Sequence, residues 1–112
     1  MALKRMVLEI GMGTDIRGAD STKVAERAVR DALWRNTLSI ATLMGKPLEE
    51  MHLEINIGVP HPQTVKKEAV LAVAPYGKGT VKVVEGGLEI PNDDGTDSTI
   101  LAHALVVVSL DV

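Results

Sequence analysis

Hydrophobic and polar residues alternate most cleanly in His52-Leu53-Glu54-Ile55-Asn56-Ile57-Gly58-Val59. A period of two sends successive side chains to opposite faces of a strand. Leu53, Ile55, Ile57 and Val59 therefore face a core, and His52, Glu54 and Asn56 face elsewhere. Leu3 to Ile10 alternates too, with Met6, Leu8 and Ile10 on one face and Arg5, Val7 and Glu9 on the other, the mark of a half-buried strand. Asp20 or Ser21 then offers a helix N-cap. Val24, Ala25, Ala28, Val29, Ala32 and Leu33 follow at spacings of three and four, opposite Glu26, Arg27, Arg30 and Asp31, which predicts an amphipathic helix packed on a sheet.

Asn36-Thr37 marks a break, and a shorter helical piece runs to Met44 before Gly45 and Pro47 stop it. Pro62 suits the first turn of a second helix, whose stripe is Val65, Ala69, Ala72 and Val73, with Pro75 and Gly77 ending it. Thr80 to Ile90 is a strand interrupted at Gly86-Gly87 by a bulge or sharp bend. Pro91 to Ser98 is a polar loop. Ile100 to Val112 is a last strand, apolar on both faces from Leu105 to Val108, and so central in its sheet or covered by a partner. The order β-α-β-α-β-β predicts an α+β two-layer sandwich: a mixed four-stranded sheet with helices on one face.

The 112 residues fit a single domain spanning 1–112. Trp34 and Tyr76 are the only aromatics, so aliphatic residues supply the packing, yet 46% of the chain is hydrophobic. For so small a body that fraction exceeds what one core needs, and a homo-oligomer is expected. A net charge of −3 leaves no electrostatic footprint for nucleic acid. Without cysteine there are no disulfides or thiolate metal sites. The run Ala104 to Val108 is too short to span a bilayer, and Met1 to Ile10 lacks the uncharged core of a signal peptide, so a cytoplasmic protein without membrane contact is expected.

Candidate chemistry centres on Gly11-Met12-Gly13-Thr14-Asp15-Ile16-Arg17-Gly18, between the first strand and first helix. Glycines let backbone N–H groups approach a small ligand closely, and a turn leading into a helix N-terminus favours anions. The Rossmann and P-loop patterns both fail here, since Ile16 stands where a glycine is required and Gly18-Ala19-Asp20 is not Gly-Lys-Ser/Thr. The plainer reading is a tight turn in which Asp15 bonds local N–H groups. Arg17 carries a planar fork suited to carboxylate or phosphate, and Lys23 and Lys78 are candidates to join it. Glu85, beside Gly86-Gly87, is a candidate general base, although a strand carboxylate facing solvent is the plainer reading. His61, between two prolines, is either a proton shuttle or a rigid turn residue. His103, between Ala102 and Ala104, fits an interior or interface histidine. Asp93, Asp94 and Asp97 lack the order of a calcium loop and fit an Asp-Gly turn.

Gly11-x-Gly13-x-Asp15-x-Arg17-Gly18 resembles the Gly-x-Gly-x-Asp-x-His-Gly signature of a small conserved hypothetical family of bacteria and plants. The likeness continues through Thr22-Lys23, Arg27 to Ala32, Gly58-Val59-Pro60, Pro75 to Lys78, Val83 to Gly87 and Asn92-Asp93-Asp94. It implies that Gly11, Gly13, Asp15 and Gly18 belong to a shared site, while Arg17 stands where the family has His. The same segment is similar to the first strand of cyclodiphosphate synthases, trimers in which it supplies zinc ligands between subunits. An arginine has no lone pair to give a metal, so that likeness does not carry zinc to position 17.

Three functions follow. The first is an oligomeric binder of a small anionic metabolite at the Gly11–Gly18 turn, near a subunit boundary, with catalysis left open. There Gly11, Gly13, Arg17, Gly18, Lys23 and Lys78 bind, and Asp15 and Glu85 handle protons. The second is a non-catalytic structural or regulatory assembly unit. The third is a metal-dependent enzyme at an inter-subunit site, although no metal or other cofactor is implied by the residues themselves.

Overall fold

A computed structural model describes residues 2–34, 39–74 and 77–112. The expected break at Asn36-Thr37 and the stop at Pro75 lie outside them. Strand β1 spans Leu3–Asp15, helix α1 Ser21–Trp34 and the short helix α2 Ile40–Leu43. Strand β2 (His52–Val59), helix α3 (Lys67–Leu71), strands β3 (Lys78–Glu85) and β4 (Leu88–Pro91), and the long β5 (Ser98–Asp111) complete the chain. The sheet runs β1-β5-β2-β3, with β4 pairing β5 beyond the end of β2. Strands β1 and β2 are both antiparallel to β5, and β3 is parallel to β2, so the carboxyl ends of β1, β2 and β3 meet at one end.

The fold is the expected α+β sandwich with a mixed sheet, of five strands rather than four. The added strand arises at Gly86-Gly87, where the bend is sharp enough to divide the predicted strand into β3 and β4. Gly87 there has φ +68°, a left-handed conformation that suits glycine. Pro62 opens a short 3-10 turn, Pro62–Thr64, and α3 starts only at Lys67 with Val70 as its buried residue. β5 lies between β1 and β2, which accounts for its apolar character.

Core packing follows the pattern in α1, whose Val24, Ala25, Ala28, Val29, Ala32 and Leu33 are all buried, and in β2, where Leu53, Ile55, Ile57 and Val59 point beneath the helices. In β1 the faces differ from a simple inward-apolar reading. Val7 pairs with Val108 and Glu9 with Val106 after an irregularity between Arg5 and Val7, which puts Val7, Glu9, Gly11, Gly13 and Asp15 on the helix side. Leu8, Ile10 and Met12 face the uncovered side, with Ile10 67% exposed.

The reason is the distance between α1 and β1. A Cβ at Gly11 would lie 2.2 Å from the Ala28 carbonyl oxygen and 2.3 Å from the Ala32 nitrogen, and one at Gly13 would lie 2.3 Å from the Val24 carbonyl oxygen. Backbone meets backbone there, so only glycine on the strand and small residues on the helix fit. The closeness lets α1 side chains reach the outer edge of β1. Asp31 accepts the Met12 N–H at 2.9 Å, and the Arg27 guanidinium donates to the Thr14 carbonyl at 2.6 Å. This stretch of edge is thereby closed to pairing with another strand.

Gly11→Ala is expected to lower unfolding stability by about 3 kcal/mol, because neither backbone can yield cheaply. Gly58→Ala, whose Cβ would sit 3.6 Å from the Gly86 Cα, should stay within about 1 kcal/mol. Urea unfolding midpoints at constant m-value measure both.

Candidate functional site

The carboxyl ends of β1, β2 and β3 gather most of the segments singled out by sequence. β1 ends at Asp15, which is 6% exposed. Its carboxylate accepts the Asp20 N–H at 3.3 Å and lies 3.8 Å from the Arg27 guanidinium. Gly18 (φ +94°) and Ala19 (φ +46°) then swing the chain into α1. A non-glycine residue in that left-handed region costs about 1 kcal/mol. Asp20 caps the helix, its Oδ1 accepting the Lys23 N–H at 3.1 Å. Asp97, just before β5, accepts the Gly18 N–H at 3.0 Å on each oxygen, and the Thr99 hydroxyl donates to the Ile16 carbonyl at 3.2 Å.

The corner is thus not the open, amide-lined hollow that its glycines suggest. Gly11 and Gly13 lie within β1 beneath α1, and the N–H groups of Gly18 and Asp20 already have carboxylate partners. Its free groups are side chains. Arg17 is exposed at the turn and Lys23 on the first turn of α1, and neither makes an ion pair or side-chain hydrogen bond among the described residues. Beside them the Ser21 hydroxyl is buried with no hydrogen-bond partner.

A second part lies across the same end. His61 Nε2 is 2.8 Å from Glu89 Oε1, and Glu85, Gly86 and Gly87 line the cleft of about 650 Å³ beside them. The Thr64 hydroxyl donates to the His61 carbonyl at 2.8 Å, and the Thr22 hydroxyl of α1 accepts the Lys66 N–H at 3.0 Å, tying this segment to the helix. Register relates the two parts: Ile100 pairs with Asp15 on one side and Glu89 on the other. Asp15 and Glu89 therefore share the helix-side face two strands apart, roughly 10 Å by strand spacing.

Of the predicted site residues, Asp15, Arg17, Gly18 and Lys23 lie together at this end, and Glu85 lies at the same end three strands across the sheet. Lys78 does not, because it opens β3 at the opposite end, in a cleft with Lys46, Glu50, His52 and Asp111. His61 was legible as a histidine in a rigid turn, but its pairing with Glu89, 28 residues on, depends on the Gly86-Gly87 bend. Asp97 reads as loop acid by sequence and is a tie between loop and turn. In that loop Asp94 accepts the hydroxyl of Thr96 at 2.7 Å and its N–H at 3.0 Å, which hold its carboxyl below the usual range. Among the described residues no three of His, Asp and Glu gather as a metal site, and no helix is long and apolar enough to cross a membrane.

A crystal structure from Nostoc punctiforme PCC 73102, described as an FtsZ-like protein of unknown function, is similar along its whole length. It is 37% identical, with a TM-score of 0.89 over 100% of this chain and 99% of that one. No protein of curated function matches the sequence. The family model of the Lin0512 conserved hypothetical proteins matches residues 5–108, nearly all of the sheet and the whole carboxyl end. The chain belongs to the Lin0512 family.

Proposed function

We propose that this protein binds a small anionic molecule at the carboxyl end of its parallel strands, through the Arg17 and Lys23 side chains and the first turn of α1. The single observation that carries the reading is the Ser21 hydroxyl, buried at the first residue of α1 without a partner. A buried polar group left unbonded costs roughly 1–3 kcal/mol and calls for a reason. A ligand at the positive end of the α1 dipole, toward which the hydroxyl turns by a change of rotamer, supplies one. The left-handed Ala19 on the same turn is a second cost in the same place. Asp15, Asp20 and Asp97 make the backbone frame rigid but add negative charge, so the anion is met by side chains rather than amides. His61, oriented by Glu89, and Glu85 are the groups placed to move a proton if the bound molecule reacts.

Ser21→Ala separates function from folding. Removing an unbonded hydroxyl is expected to leave stability unchanged or raise it by about 1 kcal/mol, whereas binding should weaken. A thermal-shift panel of phosphorylated and carboxylated metabolites on wild type, Ser21→Ala and Arg17→Ala measures both. Responses in wild type that persist undiminished in Arg17→Ala would refute the site.

A second reading, that the chain is an assembly unit, draws on the uncovered face of the sheet. Leu8, Ile10, Met12, Val84, Leu88, Ile90 and Leu105 stand exposed on it, and a patch of that size on one face marks an interaction surface. Glu54 and Lys82, of opposite charge on adjacent strands of that face, suit a self-complementary contact with a second copy. Leu8→Glu combined with Leu88→Glu should convert an oligomer to a monomer with unchanged far-UV circular dichroism. Light scattering at micromolar concentration checks this, and a monomeric wild type removes the reading.

A further inference from the structure

The uncovered face holds a hollow of about 360 Å³ lined by Ile10, Asn56, Lys82, Val84, His103 and Leu105, with Gly58 in its floor. Strand register explains why it exists. Ile10, Leu105, Asn56 and Lys82 form one row across β1, β5, β2 and β3, and Met12, His103, Gly58 and Val84 form the next. Every position in the two rows carries a side chain except Gly58. The gap lies between His103 and Val84, directly beside the Asn56 and Lys82 row.

Packing does not require glycine at that point. β2 and the bend after β3 pass closely, but a Cβ at Gly58 would meet nothing nearer than the Gly86 Cα at 3.6 Å, an ordinary contact. A Cβ at Gly86 would approach Gly58 at 3.2 Å, so the tight side of the pass is position 86. Glycine inside a strand weakens it, and here its effect is to open the hollow.

Chemistry at the rim is selective. The Asn56 side-chain N–H groups donate to the carbonyls of Leu105 at 3.2 Å and Glu54 at 3.4 Å, leaving its amide oxygen free. Among the described residues the Lys82 ammonium and the His103 ring make no ion pair or side-chain hydrogen bond. The walls are Ile10, Val84 and Leu105. An almost wholly apolar bowl of this volume, with Lys82 on its border, has the make-up of a site for a small amphipathic molecule. We infer that this hollow binds a small monocarboxylate with an apolar body, the carboxylate on Lys82 and the body against Val84, Leu105 and Ile10. Lys82 fixes the class: a neutral apolar molecule leaves the ammonium unused, and a polyanion finds only one cation and too little polar surface. The site is distinct from the Arg17 corner.

Hexanoate is the probe and hexanamide its uncharged counterpart, titrated into isotope-labelled protein and followed by amide chemical shifts. Hexanoate should bind with a Kd on the order of 1 mM, as so few atoms allow, and shift Gly58, Val84 and His103 resonances. Hexanamide should bind about fivefold more weakly, and Lys82→Gln should remove that preference. Gly58→Ala, which puts a methyl into the floor, should weaken both probes. Arg17→Ala should change nothing, which separates this site from the carboxyl-end reading, and light scattering on the same samples reports assembly independently. No binding by wild type, equal binding of the two probes, or hexanoate affinity unaltered in both Lys82→Gln and Gly58→Ala would overturn the proposal.

Discussion

Helix α1 rests on β1 with backbone against backbone, and the rest of the architecture takes its position from that contact. Gly11 and Gly13 face Ala28 and the backbone of Val24 and Ala32, where any side chain would strike main-chain atoms rather than a mobile group. Such an approach cannot be relaxed by rotamer changes, so it fixes the height and register of the helix together. Arg27 and Asp31 come within reach of the strand's outer edge as a result, and Asp20, just ahead of α1, comes within hydrogen-bond distance of Asp15. The covered face is also settled by it: small residues make one side of β1 the helix seat, and Leu8, Ile10 and Met12 are left on the other.

That same contact explains where sequence reading succeeded and where it was blind. Period-two and period-3.6 patterns located β2, β5 and α1 because bulky aliphatics there mark the buried side. In β1 the bulky aliphatics mark the open side. Glycines occupy the buried side, and they look like a flexible loop when read for chemistry alone. A usable signal was present: Gly11 and Gly13 stand two apart, as residues on one strand face do, opposite a helix stripe containing Ala25, Ala28 and Ala32. Small residues facing small residues at matched periods indicate close packing as readily as ligand binding. The positions of Asp15 and Glu85 were legible because these residues close β1 and β3, and that of Arg17 because it lies in the turn that follows β1. The His61–Glu89 pair was not, since it depends on a bend that reverses the chain between them, and Lys78 was misplaced because β3 separates it from Glu85 by its own full length.

Charged residues occur at both ends of the sheet, so charge does not distinguish a site. The amino ends of β2 and β3 gather Lys46, Glu50, His52, Lys78 and Asp111 in a cleft of about 240 Å³. What separates the carboxyl end is the free energy held there. A left-handed alanine costs about 1 kcal/mol, and a buried hydroxyl without a partner costs at least as much again. Small domains have only about 5–15 kcal/mol of net stability, and two such terms within three residues are a large local sum. Folding gains nothing from either. Glycine at position 19 would relieve the first and alanine at 21 the second, each by a single change. Their coincidence at the mouth of α1, on a backbone held rigid by Asp15, Asp20 and Asp97, is the pattern expected where a fold is shaped by something other than its own stability.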